Sequence, residues 1–211
     1  MAQWLGNALL GLFQNKYVAT LFVSMFPLIE LKGAIPIGRG LFGLGLWETA
    51  GVAYLGSTAA GVLVFFLLIP VFRLLKKIKF IDRLILKIET VIGEKAEKIA
   101  AKSNGKAENK AIFIKMLGLF IFVAVPFPVT GVWTGASIAV FLGLKFREAL
   151  PALALGNLVA GAIITLLTFL FEPYVDIIIY VLFAIAIVMV VITIVKLARS
   201  KPKNGGDEGN T

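Results

Sequence analysis

Cysteine and histidine are both absent from the 211 residues. Without Cys there is no disulfide framework and no thiolate metal site, and without His the commonest proton shuttle and metal ligand is missing. Proton chemistry in this chain therefore falls to carboxylates or lysine. Acidic side chains are scarce too, 12 against 21 Lys and Arg, for a net charge of +9. The basic residues lie between and after apolar segments, where they set membrane topology, so no nucleic-acid partner is expected. The N-terminus lacks a basic leader and a small-residue cleavage site, so no removable signal peptide is expected.

Apolar surface is abundant. Hydrophobic residues make up 59% of the chain, with a mean hydropathy of +0.95, more than one soluble core can bury. The uncharged stretches 49–72, 149–171 and 177–195 each come close to or exceed the roughly 20 residues of a spanning helix. Arg73 to Lys115 carries twelve Lys and Arg, and Lys196, Arg199, Lys201 and Lys203 follow the last stretch, which places both regions in the cytoplasm. Residues 116–144 are uncharged but would make a helix of about 43 Å, too long for one straight span. Pro126, Pro128 and Gly131 break them in the middle. With cationic residues at both ends, a re-entrant hairpin fits, its broken backbone covered by protein or a water-filled cavity. Tyr17 to Ile29 is too short to span before Glu30, Lys32, Pro36 and Arg39, and reads as a second such hairpin opening on the other side. One tilted span with three central charges is the alternative.

Compared with itself at an offset of 100, the chain repeats Gly43/Gly143, Leu44/Leu144, Glu48/Glu148, Leu55/Leu155, Gly56/Gly156, Ala60/Ala160 and Gly61/Gly161. The expected fold is an all-α membrane protein. It is an inverted repeat of re-entrant helical hairpin plus transmembrane helix, with one additional C-terminal transmembrane helix. Residues 1–16 form an N-terminal interfacial helix, 17–72 the first repeat (hairpin 17–46, span 49–72), and 73–110 a basic amphipathic helix. Residues 111–171 form the second repeat (hairpin 111–144, span 149–171), 174–197 the last span, and 198–211 a disordered tail. Ile78, Ile81, Ile85, Ile88, Ile92 and Ile99 give the basic helix an apolar face for the membrane surface, a homodimer contact being the alternative. The expected location is the plasma or inner membrane, multi-pass, with membrane lipids as partners.

The chemistry-bearing residues lie at the breaks. Half-helices starting at Pro36 and just after Thr130, with Thr130 as N-cap, would aim two sets of free N–H groups at the midplane, an anion site for phosphate or carboxylate. Lys32 and Arg39 would add positive charge, and Glu30 reads either as proton acceptor and counter-ion or as a carboxylate paired with Lys32 or Arg39. Pro36, Pro128, Thr130 and Thr134 complete the candidate binding set, and Gly33, Gly131 and Gly135 are the hairpin-packing positions. Glu48, Arg147 and Glu148 read as interfacial anchors. Gly38-Arg-Gly40-Leu-Phe-Gly43 matches a dinucleotide fingerprint by letters, without the strand that motif needs. No nucleophile and base pair, metal cluster or phosphate loop is present, so neither enzyme activity nor a cofactor is expected.

Glu30-Leu-Lys-Gly-Ala-Ile-Pro36, together with Pro126-Phe-Pro-Val-Thr-Gly-Val-Trp-Thr-Gly-Ala136, resembles the paired signatures of the small multidrug export protein family. The likeness runs nearly from the start of the chain to about residue 172. That family is similar, distantly, to the DedA and VTT-domain membrane proteins, which implies two facing re-entrant hairpins and lipid-carrier or proton-coupled transport. The motif residues carried over are Glu30, Lys32, Gly33, Pro36, Pro128, Thr130, Gly131, Trp133, Thr134 and Gly135. Lys32 stands where such sequences commonly have Arg. The expected function is transport, linked to the proton-motive force, of an anionic or amphipathic small molecule or lipid phosphate between the hairpins. Export of cationic amphipathic drugs and a non-transport scaffold are the alternatives.

Overall fold

The structure is a computed structural model that describes residues 10–75, 107–127 and 130–174, and residues 177, 179–181, 184, 185, 187, 188, 191, 192 and 195 beyond them. The described residues are mostly helical, with no strand among them. The expected basic helix at 73–110 falls largely outside this set. So do residues 1–9 of the interfacial helix, the tail at 198–211, and Pro128.

The helices whose full extent lies among the described residues are α1 (Lys16–Met25), α2 (Glu30–Gly40), α3 (Leu46–Leu75), α4 (Ala107–Ala124), α5 (Val132–Phe141) and α6 (Phe146–Leu170). A short 3-10 turn, Glu172–Tyr174, follows α6, and the described positions from 177 to 195 are helical. Asn15 caps α1, its side chain accepting from the N–H groups of Tyr17 at 2.8 Å and Val18 at 3.3 Å. α1 and α2 are separated by the turn around Pro27, α4 and α5 by the break from Val125 to Gly131.

The two helical pairs end alike. After α2 the chain reverses through Gly43 at φ 62°, and after α5 through Gly143 at φ 70°, the left-handed region that glycine enters without strain. The following long helices start alike too. Glu48 Oε2 accepts from the Gly45 N–H at 3.1 Å, and Glu148 Oε2 from the Lys145 N–H at 2.8 Å. Each is a third-position carboxylate reaching back to the cap. Both carboxylates, expected as anchors flanking the spans, thus have a local partner at the helix start. That placement also explains why α3 and α6 begin three residues before the uncharged stretches: a carboxylate in a first helical turn is stabilising and does not end the helix.

The apolar parts of α3 and α6, Leu46–Val71 and Phe146–Leu170, are long and apolar enough to cross a membrane. At 26 and 25 residues they run about 39 and 37 Å. Only 39% and 33% of their most apolar windows are buried, so they are unlike the core helices of a soluble protein. Leu55, Leu63, Leu67, Leu155, Leu158 and Leu166 point outward, and apolar faces of that extent call for lipid or a partner.

The helices pack around two cores. One joins α4, α5 and the start of α6 to Val64 and Phe65 of α3. The other joins α1, α2 and the start of α3, with Ile164 of α6 packed against it. Each long helix thus starts in the core of its own pair and ends against the other. At the crossing of α3 and α6, Ser57 Oγ lies 3.4 Å from Asn157 Oδ1, Asn157 donates to Thr58 Oγ1 at 3.0 Å, and Tyr54 donates to the Ala154 carbonyl at 3.4 Å. A Cβ on Gly61 would meet Val132, and one on Gly161 would meet Leu31.

Candidate functional site

Where the breaks of the two pairs meet, they interlock. Glu30 opens α2 with its backbone in the left-handed region, φ 49°, a conformation that costs a non-glycine residue on the order of 1 kcal/mol or more. Its N–H donates to the Phe26 carbonyl at 2.8 Å, and its side chain is buried, 6% exposed. The carboxylate lies against Gly131, where any Cβ would collide with it. Its Oε1 accepts from the Trp133 N–H at 3.2 Å. Trp133 is the second residue of α5, so Glu30 fills a helix N-terminus with a negative charge, a stabilising placement.

Lys32 lies 3.9 Å from Glu30, and its ammonium donates to the carbonyls of Phe127 and Thr130, each at 2.9 Å, with Thr130 Oγ1 at 3.5 Å. These oxygens belong to the broken stretch before α5. Lys32 thereby satisfies acceptors that the interrupted helix leaves open. Trp133 closes the other side, its indole N–H donating to the Met25 carbonyl at 2.9 Å.

Of the expected residues, Glu30, Lys32, Thr130 and Gly131 come together here. Others do not, and three expectations change. Pro36 does not start a half-helix: α2 begins at Glu30 and holds Pro36 inside it, fully buried. There it offers no N–H to the carbonyl of Lys32, four residues earlier. Thr130 is not the N-cap of α5: Gly131 is, with no side-chain cap bond. The Thr130 hydroxyl turns back into the break, within hydrogen-bond reach of the Val125 carbonyl at 2.7 Å and the Phe127 carbonyl at 3.0 Å. Arg39 joins neither Glu30 nor Lys32. It pairs with Glu172 beyond α6, its Nε donating to Oε1 at 3.0 Å, and its Nη1 donates to the Leu44 carbonyl at 3.2 Å.

Thr134 is half-buried on the first turn of α5. Gly33 and Gly135 are packing positions, a Cβ on the first meeting Ile29 at 2.6 Å and on the second Val123 at 2.7 Å and Leu153 at 2.8 Å. The dinucleotide-like glycines lie on the end of α2 and the turn after it. The roles of the Phe127 carbonyl and the Trp133 N–H escaped the sequence reading because backbone groups carry no residue-type signal. Asn157 did carry one, as a lone amide in an uncharged span facing Ser57 at the repeat offset, but that pair is not an identity.

A family model described as putative small multi-drug export protein matches residues 30–163. No curated protein and no solved structure matches the chain. The match begins at Glu30 and takes in every residue of the hydrogen bonds just described between the two breaks except Met25 and Phe26.

Proposed function

Because the chain belongs to the small multi-drug export protein family, we propose that it is a multi-pass transporter of the cell membrane whose two helical pairs are re-entrant hairpins in inverted repeats. Length supports this: α1, α2 and α5, at 10, 11 and 10 residues, run about 15 Å, half a hydrocarbon core. The exchange of partners, Gly61 with Val132 and Gly161 with Leu31, around an α3–α6 crossing that sets Ser57 beside Asn157, is what a two-fold relation between halves produces. With the basic stretch 73–115 in the cytoplasm, the first hairpin opens outside and the second inside.

In this reading the cluster of Glu30, Lys32, Thr130 and Gly131 is the transport site. The observation that carries it is the Glu30 carboxylate seated on the N-terminus of α5. A buried ionisable pair in a membrane, with its carboxylate on strained backbone, points to function. A proton on Glu30 removes the charge held by Lys32 and the helix end. The Trp133 N–H and the Lys32 ammonium then become available to the anionic group of an amphipathic substrate, so proton and anion bind together. The test is purified protein in vesicles with an interior pH dye and a fluorescent phosphatidic acid as probe. Coupled movement of both, lost in Glu30→Gln, is expected. No movement, or a Glu30→Gln variant equal to wild type, refutes the reading.

One observation favours a second reading. The Lys32 ammonium occupies a nest of oxygens from Phe127, Thr130 and Glu30, a place that an organic cation takes if Lys32 withdraws. Lys32→Met separates the two: it abolishes transport of an anion and leaves or enhances efflux of a cationic dye.

A further inference from the structure

Arg39, detached from the central cluster, forms part of a different site. A cavity of about 180 Å³ lies where the start of α3 meets the end of α6, lined by Arg39, Leu46, Trp47, Thr168, Phe169 and Glu172. We propose that it binds the headgroup of a membrane lipid carrying both a phosphate ester and a primary amine. The inference rests on the membrane reading and not on transport through the central cluster.

The charges fit such a zwitterion. A guanidinium has five N–H donors, and Arg39 commits three: Nε and Nη2 to Glu172, and Nη1 to the Leu44 carbonyl. Two remain for a phosphate. Glu172 receives both of its bonds from Arg39 on Oε1, which leaves Oε2 to accept from an ammonium. The two side chains are 35% and 48% exposed, so solvent-side groups can reach them, and an ion pair this open contributes little to stability by itself. A free phosphate or an anionic headgroup would meet the Glu172 carboxylate unfavourably, and a trimethylammonium has no N–H for it.

The rest of the lining selects a lipid over a soluble solute. Thr168 is buried with its hydroxyl donating to the Ile164 carbonyl at 2.8 Å, so it offers the cavity no spare donor. Trp47, 81% exposed, and Phe169, 60% exposed, flank the charged pair at the shared end of the two membrane-length helices. An exposed Trp there is an interfacial anchor, and the apolar surface beside it is where acyl chains lie.

The test uses the full chain in detergent, with native mass spectrometry reading retention of short-chain phosphatidylethanolamine, phosphatidylcholine and phosphatidylglycerol, and of soluble phosphoethanolamine. The expected result is retention of the ethanolamine lipid about three- to fivefold above the other lipids, the worth of one solvent-touched charged contact. Glu172→Gln then abolishes discrimination between ethanolamine and choline lipids, and Arg39→Gln lowers retention of all three. A preference for phosphatidylglycerol, or a preference unchanged in Glu172→Gln, overturns the proposal. Soluble phosphoethanolamine bound as tightly as the lipid overturns it too, by showing a solute site. Should Arg39→Gln not fold, the surface variant Trp47→Ala replaces it and must weaken lipid retention.

Discussion

Pairing Glu30→Gln with Lys32→Met tests whether the interlocked breaks form one electrostatic unit. At the observed 3.9 Å, an effective dielectric near 20 gives an attraction of about 4 kcal/mol, most of it offset by the cost of removing both ions from water. Removing one partner exposes that cost. Glu30→Gln leaves the Lys32 ammonium with the Phe127 and Thr130 carbonyls, so its loss is about 2–3 kcal/mol, at or below the usual range for a broken buried pair. Lys32→Met leaves the carboxylate with the Trp133 N–H and takes the ammonium from the Thr130 carbonyl, while the Phe127 carbonyl keeps the Thr130 N–H and hydroxyl, a loss of about 3–5 kcal/mol. The double variant keeps neither stranded charge and should be more stable than the sum of the single losses by about 1–3 kcal/mol. Unfolding of the four purified proteins in mixed micelles by titration with a denaturing detergent measures this. Additivity within about 0.5 kcal/mol would show the two side chains to be independent.

Gly131→Ala places a methyl where the Glu30 carboxylate lies. The side chain must swing off α5, with a loss of about 1–2 kcal/mol, and Glu30→Gln added to that variant should cost less than it does alone in the same titration. Gly56→Ala and Gly156→Ala each drive a methyl into backbone, the Leu21 carbonyl at 2.5 Å and the Phe120 carbonyl at 2.8 Å, and should lose about 1–3 kcal/mol. Gly51→Ala and Gly118→Ala meet nothing within 4 Å and should gain about 0.5–1 kcal/mol, as helix-interior glycines do; a loss equal to that at Gly56 would contradict the packing. Because the chain has no native Cys, Trp47→Cys and Arg147→Cys, at equivalent positions in the two halves, report topology directly. An impermeant thiol reagent added to intact cells should label the first and spare the second, whereas labelling of both from one side rules out inverted insertion.

The framework was legible because helix breaks and helix starts use residues with strong local rules. The offset of 100, read from identities that include Gly43/Gly143 and Glu48/Glu148, reappears in the matching reversals and the matching caps. The start of α2 was misread for a physical reason. Proline is favoured at a first helical position, yet within the first turns of a helix it sacrifices a single carbonyl partner, and that cost is borne at Pro36. Thr130 failed as a cap because its hydroxyl had nearer backbone carbonyls in the break behind it. Arg39 looked like a neighbour of Glu30 from sequence spacing, but nine residues of helix separate them by about 13 Å along the axis, far enough to give Arg39 to Glu172.

The helix N-terminus rule located the positive pole of α5 correctly but was silent on what occupies it. The occupant comes from 103 residues away, and no local pattern announces a partner at that separation. Glu30 on the pole changes what an anion site there can mean. Any anionic substrate has to displace a carboxylate tethered to the same fold, whose effective concentration is far above that of a free ligand. It cannot win by charge alone, since it offers the helix end nothing that Glu30 lacks. Binding becomes favourable only when something else disables Glu30, by a proton on its oxygens or by a shift of α2 that withdraws it. Either event ties occupancy of the site to the state of the first helical pair. That linkage is what separates a transporter, in which ligand and conformation exchange in step, from a scaffold in which the same contacts merely hold two helical pairs together.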